Sequence, residues 1–197
     1  EVAKNIPEWN LLIEKKVKSI QPLKEGNLSP LVISSEDVST LGLNLEEVSP
    51  EEYFLEGKGV VDYQNSLLNL AIILYDQEIL KGVKSLKVDS SVSKPYKGDK
   101  IFFSIYLTKY KYDDDDTQKA LLINQKVMTK YFGLRNYEID KLNHGIFRIT
   151  KDEDVFYLSM KDTNNFLHTI VLRGDDVDLL QNLVQLQDVK LREIQLD

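Results

Sequence analysis

The second half of the chain constrains the fold most strongly, because it places a long strand, an amphipathic helix and three short strands in close succession. Lys100 to Tyr112 alternates side chains between two faces, the pattern of a β-strand. A helical period follows over about 117–132, and three short extended segments come next, at 145–150, 155–160 and 166–173. Connections this short join antiparallel neighbours. We therefore predict an α+β fold in which an antiparallel sheet, with a meander in its C-terminal half, packs against several helices.

Helical patterns precede the sheet-forming half. Apolar residues recur at helical spacing over about 7–20 and again over about 61–81. The second of these segments is apolar on most faces, which is typical of a buried central helix, and Gly82 is its expected end. We expect this helix and the Lys100–Tyr112 strand to bury each other.

The remaining elements are read from turn and capping residues. Ser90 to Asp99 contains Pro95 and reads as a turn-rich connection. Arg135 to Leu142 is a possible additional strand. Asp175 or Asp176 is the expected cap of a final helix that runs to about Gln187.

The length fits one large domain or two small ones, and the expected mutual burial of the 61–81 helix and the Lys100–Tyr112 strand favours one. A chain of 197 residues with 42% hydrophobic and 29% charged residues can bury a substantial core without disulfides or a metal. We predict a single α+β domain over 1–197, with 1–82 as a mainly helical N-terminal portion and 83–197 as the sheet-containing portion. Two thermal transitions would contradict this division.

Cysteine usage and charge exclude several classes of site. The chain has no cysteine, which removes thiol nucleophiles, disulfides and cysteine-ligated metals. The net charge of −7 weakly opposes a polyanionic partner. The first residue is Glu1, so a signal peptide or anchor could precede it, and extracytoplasmic and intracellular locations are equally compatible with the sequence. No stretch reaches the roughly 20 apolar residues of a transmembrane helix.

Catalytic, cofactor and metal motifs are not recognisable. The two histidines, His144 and His168, lie beside no nucleophile motif, and we expect both to be structural or exposed. A Ser-His-Asp site assembled from distant residues stays open, because such sites are defined by geometry. The run Asp113–Asp116 lacks the glycine and glutamate of an EF-hand loop and reads as an acidic turn before a helix. We predict no catalytic, cofactor or metal residues.

A basic, tyrosine-rich segment over 94–135 is the best candidate for a binding surface. Lysines and tyrosines alternate along its strand, so the rings and the ammonium groups face opposite ways. The candidate interaction residues are Tyr106, Tyr110, Tyr112, Lys109 and Lys111.

These observations favour a non-catalytic protein-interaction or assembly module with a protein partner and no cofactor. One alternative is a hydrolase-type enzyme, which requires a deep pocket with two carboxylates in unequal environments. The other is a single-stranded nucleic-acid-binding protein that uses 94–135, since basic grooves with stacking aromatic rings hold single strands. The sequence leaves the oligomeric state open.

Overall fold

A computed structural model describes residues 28–48, 70–111, 114–143 and 145–193. The helix expected over 7–20, residues 61–69 of the next expected helix, and the side chains of Tyr112 and His144 lie outside the described residues. Everything stated below concerns the described part of the chain.

The described residues form seven strands, four α-helices with both ends described, and a helical stretch at 70–73. The strands are β1 Glu46–Glu47, β2 Val88–Lys97, β3 Phe102–Tyr110, β4 Glu138–Lys141, β5 Ile146–Lys151, β6 Asp154–Thr163 and β7 Phe166–Arg173. The helices are α1 Ser35–Ser39, α2 Gln77–Ser85, α3 Asp114–Leu134 and α4 Val177–Arg192, with a short 3-10 turn at Ser29–Leu31 before α1.

All seven strands belong to one antiparallel sheet in the order β1-β2-β3-β7-β6-β5-β4. β2 and β3 form a hairpin, and β4 to β7 form a meander whose last strand pairs with β3. Helix α3 makes the connection between the two halves. The predicted α+β class and the C-terminal meander are therefore confirmed.

Helices cover both faces of the sheet. On one face α4 and the segment 28–38 pack against fully buried β3 residues, Phe103, Ile105 and Leu107. On the other face α2 and α3 pack against Tyr110 and against apolar residues of the meander. Because β3 lies inside the sheet and is covered on both faces, its polar residues Ser104 and Thr108 are buried as well. This placement decides which predicted surface residues are accessible.

The helix expected over 61–81 is interrupted in its described part. Residues 70–73 are helical, the chain turns at Leu74–Tyr75, and α2 begins only at Gln77. Asp76 caps the new helix, since its carboxylate accepts from the backbone N–H groups of residues 78 and 79. Gly82 lies inside α2 instead of ending it: a Cβ there would lie 3.1 Å from the Ile123 side chain of α3. This glycine therefore serves close helix packing.

The prediction of a turn-rich connection at Ser90–Asp99 is also wrong, because most of this segment belongs to β2. Pro95 misled the sequence reading. In the structure Val48 N–H donates to the Pro95 carbonyl at 3.0 Å, so the proline nitrogen faces the edge of the sheet that carries only the two-residue β1. Proline is tolerated at such a position because no inner ladder bond is lost.

The other predicted elements are present with shifted ends. β4 confirms the possible strand within Arg135–Leu142, and Asp176 caps α4, which continues past the expected end at Gln187 to Arg192. Helix α3 begins within the aspartate run, at Asp114. Among the described residues, no helix is long and apolar enough to cross a membrane.

Candidate functional site

The predicted tyrosine-rich face is mostly not exposed. Tyr110 is 4% exposed and packs in the cluster between the sheet and α2. Tyr106 is half-buried, and burial raises the pKa of its phenol. Lys109 is half-buried and Lys111 is exposed. The expectation that Tyr110 lies on an accessible surface is therefore corrected, whereas a binding role for the two lysines stays a prediction.

A buried polar cluster joins α4 to the meander around one carboxylate. The Asp188 Oδ1 atom lies 3.0 Å from His168 Nε2 and accepts from the Thr163 hydroxyl at 2.7 Å. The other carboxylate oxygen accepts from the Lys161 ammonium group. Strand pairing places these donors together, because Lys161 lies opposite His168 and both side chains face α4.

Hydrogen bonding controls the charge of this carboxylate. Burial alone would raise the pKa of Asp188, but the hydrogen bonds from His168, Lys161 and Thr163 outweigh it and hold the pKa well below its ordinary value. Asp188 is therefore ionised at neutral pH. It accepts from donors on two strands and ties the helix to the sheet.

The cluster contains a histidine and an aspartate, residue types that hydrolases use, but both are buried and inaccessible to a substrate. His168 has 0% of its surface exposed, and neither its Nδ1 atom nor the buried Ser159 hydroxyl has a hydrogen-bond partner among the described residues. The Nε2 atom that faces the carboxylate carries the ring proton in the neutral form. A nucleophile would have to meet this ring inside the core. The arrangement supports a structural role, as expected for His168.

A second set of polar contacts on α4 holds the segment that precedes α1. The Gln187 amide accepts from Ile33 N–H at 3.1 Å and donates to the Leu31 carbonyl at 2.8 Å. One helical turn on, the Lys190 ammonium donates to Asp37 at 2.6 Å. Although burial opposes it, this bond and those from Ser34 lower the pKa of Asp37. The C-terminal half of α4 thus binds the backbone at Leu31 and Ile33 and the side chain of Asp37.

A small cleft between α3 and strands β4 to β6 is largely apolar. Its volume is about 10 Å³, which holds about one water molecule and is far below the roughly 300 Å³ of typical ligand pockets. The lining residues are Gln125, Met128, Thr129, Ile139, Phe147, Ile149 and Leu158. None of them is a carboxylate, so this cleft does not meet the requirement of the predicted hydrolase alternative.

Large apolar side chains are exposed at the break before α2. We call Ile72, Ile73 and Tyr75 the exposed triplet; their exposed fractions are 50%, 56% and 91%. Ala71, which precedes the triplet, and Leu74, which lies within it, are buried in the cluster formed with α2 and α3. The backbone that carries the triplet is therefore held in place by the packing of Ala71 and Leu74.

The backbone at this break is strained. Tyr75 has φ of +50°, in the left-handed region, where a residue with a Cβ costs roughly 1–2 kcal/mol. The next residue fixes the turn, because Asp76 caps α2 and accepts from Lys130 of α3 at 2.6 Å. That hydrogen bond and the backbone N–H groups lower the pKa of Asp76. A strained aromatic residue held by a cap and an ion pair motivates a functional hypothesis.

Neither a metal centre nor a known relative defines the site. Within the described residues, no group of three or more histidine, aspartate or glutamate side chains could hold a metal ion. Comparison with protein-family models, curated proteins and solved structures found no match to this chain. The functional argument therefore depends on the chain's own residues.

Sequence reasoning missed the exposed triplet because its residues looked like core. Ile72 and Ile73 extend an apolar run that is typical of a buried helix, and nothing in the pattern announces a break at Tyr75. The available signal was Asp76, an N-cap residue type, three residues before Ile79.

Proposed function

We propose that this chain is a protein-interaction or assembly module, and that the exposed triplet Ile72, Ile73 and Tyr75 is its contact surface. The observation that carries the proposal is Tyr75, a tyrosine with 91% exposure on a strained, anchored turn. Tyrosine is enriched at interface centres, because it buries a large area and loses few rotamers. Two neighbouring isoleucines add apolar area around it.

The anchoring of the turn supports a preformed surface. Ala71 and Leu74 are buried, and Asp76 is bonded both to the start of α2 and to Lys130 of α3. A contact surface that is already ordered loses little conformational entropy on binding, so more of the buried apolar area contributes to affinity.

The alternative functions gain no support from the geometry of the described residues. The cleft beside α3 has no carboxylate in its lining, and His168 is fully buried. Tyr110 is buried and is therefore unable to stack on a base. An oligonucleotide titration at low salt tests the nucleic-acid alternative directly. Micromolar binding that is lost when Lys109 and Lys111 become glutamate would overturn the interaction proposal.

The proposal is tested by capture from the native organism with three versions of the chain. The wild type should retain a defined protein partner, and the double variant Ile73→Ser, Tyr75→Asn should lose it. Leu142→Ser is the matched control, because Leu142 is also exposed but follows β4, the strand at the far edge of the sheet. Equal retention of the partner by all three versions would show that the triplet is not the contact surface.

A further inference from the structure

The outer edge of β2 is covered over only part of its length. β1 pairs with Tyr96 and Lys97, and its continuation reaches Pro95 through Val48. Among the described residues, no strand lies beyond the stretch from Val88 to Lys94. Open edges of this kind present backbone donors and acceptors to any extended segment that can reach them.

The hydrogen bond to β1 and the register with β3 show which residues of β2 direct their backbone groups to the outer edge. Because Val48 donates to the Pro95 carbonyl, Pro95 directs its backbone groups toward β1. Backbone groups alternate sides along a strand, so Ser93 and Ser91 direct their N–H and C=O groups to the same outer edge, while Val92 and Lys94 bond inward to β3. Two residues are therefore available for a further ladder.

The chain's own β1 is poorly suited to extend along this edge. If the register that places Glu47 opposite Tyr96 continued, Pro50 of the sequence would come opposite Ser93. Proline has no N–H to donate to the Ser93 carbonyl. Val48 is therefore the last residue that can donate to β2 in this register before the open stretch begins.

The two edges of the sheet differ in how they are protected. At the opposite edge, β4 has only four residues, of which Glu138, Asp140 and Lys141 are charged and exposed. Short, charged strands resist pairing with another chain. By contrast, residues 90–93 of β2 are uncharged, with the sequence Ser-Ser-Val-Ser. A bulge between Val88 and Ser90 and the charged residues Asp89 and Lys94 limit the unprotected part of β2 to these four residues.

We propose that the outer edge of β2 pairs antiparallel with β2 of a second copy of this chain, about a twofold axis at Val92. Ser91 of each copy then exchanges backbone hydrogen bonds with Ser93 of the other, and the two Val92 side chains meet on one face. Antiparallel pairing also brings Asp89 of one strand toward Lys94 of the other, whose ammonium group lies 3.8 Å from Glu47 of its own chain. A twofold arrangement uses the same surface on both copies and therefore closes at a dimer.

This inference rests on the proposed role in interaction or assembly and gives it a partner on a different surface. The contact is short, and each copy carries a net charge of −7, so the copies repel each other. Added salt screens that repulsion. The dimer should therefore be weak and should strengthen as ionic strength rises.

Sedimentation equilibrium over a range of protein concentrations tests the pairing. The wild type should pass from monomer to dimer, and Ser93→Pro should stay monomeric. This substitution removes one outward N–H and keeps the inward bonds of β2, as Pro95 already does two residues away. Ser93→Thr, which keeps the N–H, is the matched control and should dimerise like the wild type.

Two further variants keep the outcome interpretable. Asp89→Lys places like charges at each end of the paired strands and should weaken the dimer at low salt relative to Glu153→Lys, which makes the same change in net charge at an exposed turn away from β2. This comparison holds even if Ser93→Pro fails to fold. Tyr75→Asn should leave the dimer unchanged, so loss of the triplet's partner and loss of the dimer are separate results. A wild type that stays monomeric at all concentrations, or a folded Ser93→Pro that dimerises equally well, would overturn the proposal.

Discussion

At the scale of single residues, the carboxylate of Asp188 is the clearest test of how the fold is held. Its pKa is lower in the folded state than in an unfolded chain, because Lys161, Thr163 and His168 bond to the ionised form. Asp188→Asn should lower the free energy of unfolding at pH 7 by about 1.5–3 kcal/mol, the usual contribution of hydrogen bonds to a charged group. Urea unfolding measures this difference.

The difference in free energy of unfolding between the wild type and Asp188→Asn should depend on pH. A carboxylate with a depressed folded-state pKa stabilises the protein above its unfolded pKa of about 3.9, and that contribution is lost as the pH falls below it. The gap between wild type and Asp188→Asn should therefore narrow from about pH 5 toward pH 2.5. Asp140→Asn, at an exposed position on β4, should show little effect. A gap that does not change with pH would contradict the role of the ionised carboxylate.

Replacement of Tyr75 should have the opposite effect on the free energy of unfolding. Its φ of +50° is unfavourable for tyrosine and better tolerated by asparagine. Tyr75→Asn should raise the free energy of unfolding, by up to about 1 kcal/mol, while it abolishes partner binding. Thermal and urea unfolding measure the first effect. A clear loss of stability would show that the ring packs on the fold and is not displayed for a partner.

At the scale of elements, helix α4 holds the segment before α1 through Gln187. Replacing Gln187 by leucine leaves the buried Ile33 N–H and Leu31 C=O without their partners, at about 1–3 kcal/mol for each unsatisfied group. Hydrogen exchange at Ile33 should accelerate together with the loss of stability. Gln181→Leu, at an exposed position of the same helix, is the control. Unchanged exchange at Ile33 would contradict this role of Gln187.

Elements were predictable where local pattern and tertiary packing agree. The alternation of β3, β6 and β7 and the capping residue Asp176 identified their elements from sequence. Gly82 and Pro95 misled because each residue has two uses: glycine ends helices or lets them pack closely, and proline breaks strands or occupies their open edges. Only the neighbours, Ile123 and the short β1, decide which use applies.

The sites were less predictable than the elements. Asp188 meets His168 across 20 residues of sequence and meets Lys161 across 27, and nothing local announces either contact. The strand period did predict that the lysines and tyrosines of β3 face opposite ways. It could not show that Tyr110 is covered, because that depends on α2 and α3 packing over its face.

At the scale of the whole molecule, we predict one cooperative unit. Leu31, Ile33 and Tyr96 share a core cluster with residues of α4, so the parts of the chain before and after residue 98 depend on each other. Calorimetry should show a single transition. The fragment 98–197 should be much less stable, because it lacks β2 and leaves β3 at an edge. Two separate transitions, or a fragment of unchanged stability, would contradict the prediction.

The measurement that tests the central claim most directly is oxidative footprinting of Tyr75, with the free chain compared to the chain in its captured assembly. The free chain should be modified readily, since this side chain is 91% exposed. The assembly should protect Tyr75 strongly while Leu142, which follows the edge strand β4, keeps its reactivity. Equal modification of Tyr75 in both states would contradict the account, because the exposed triplet would then not be the contact surface.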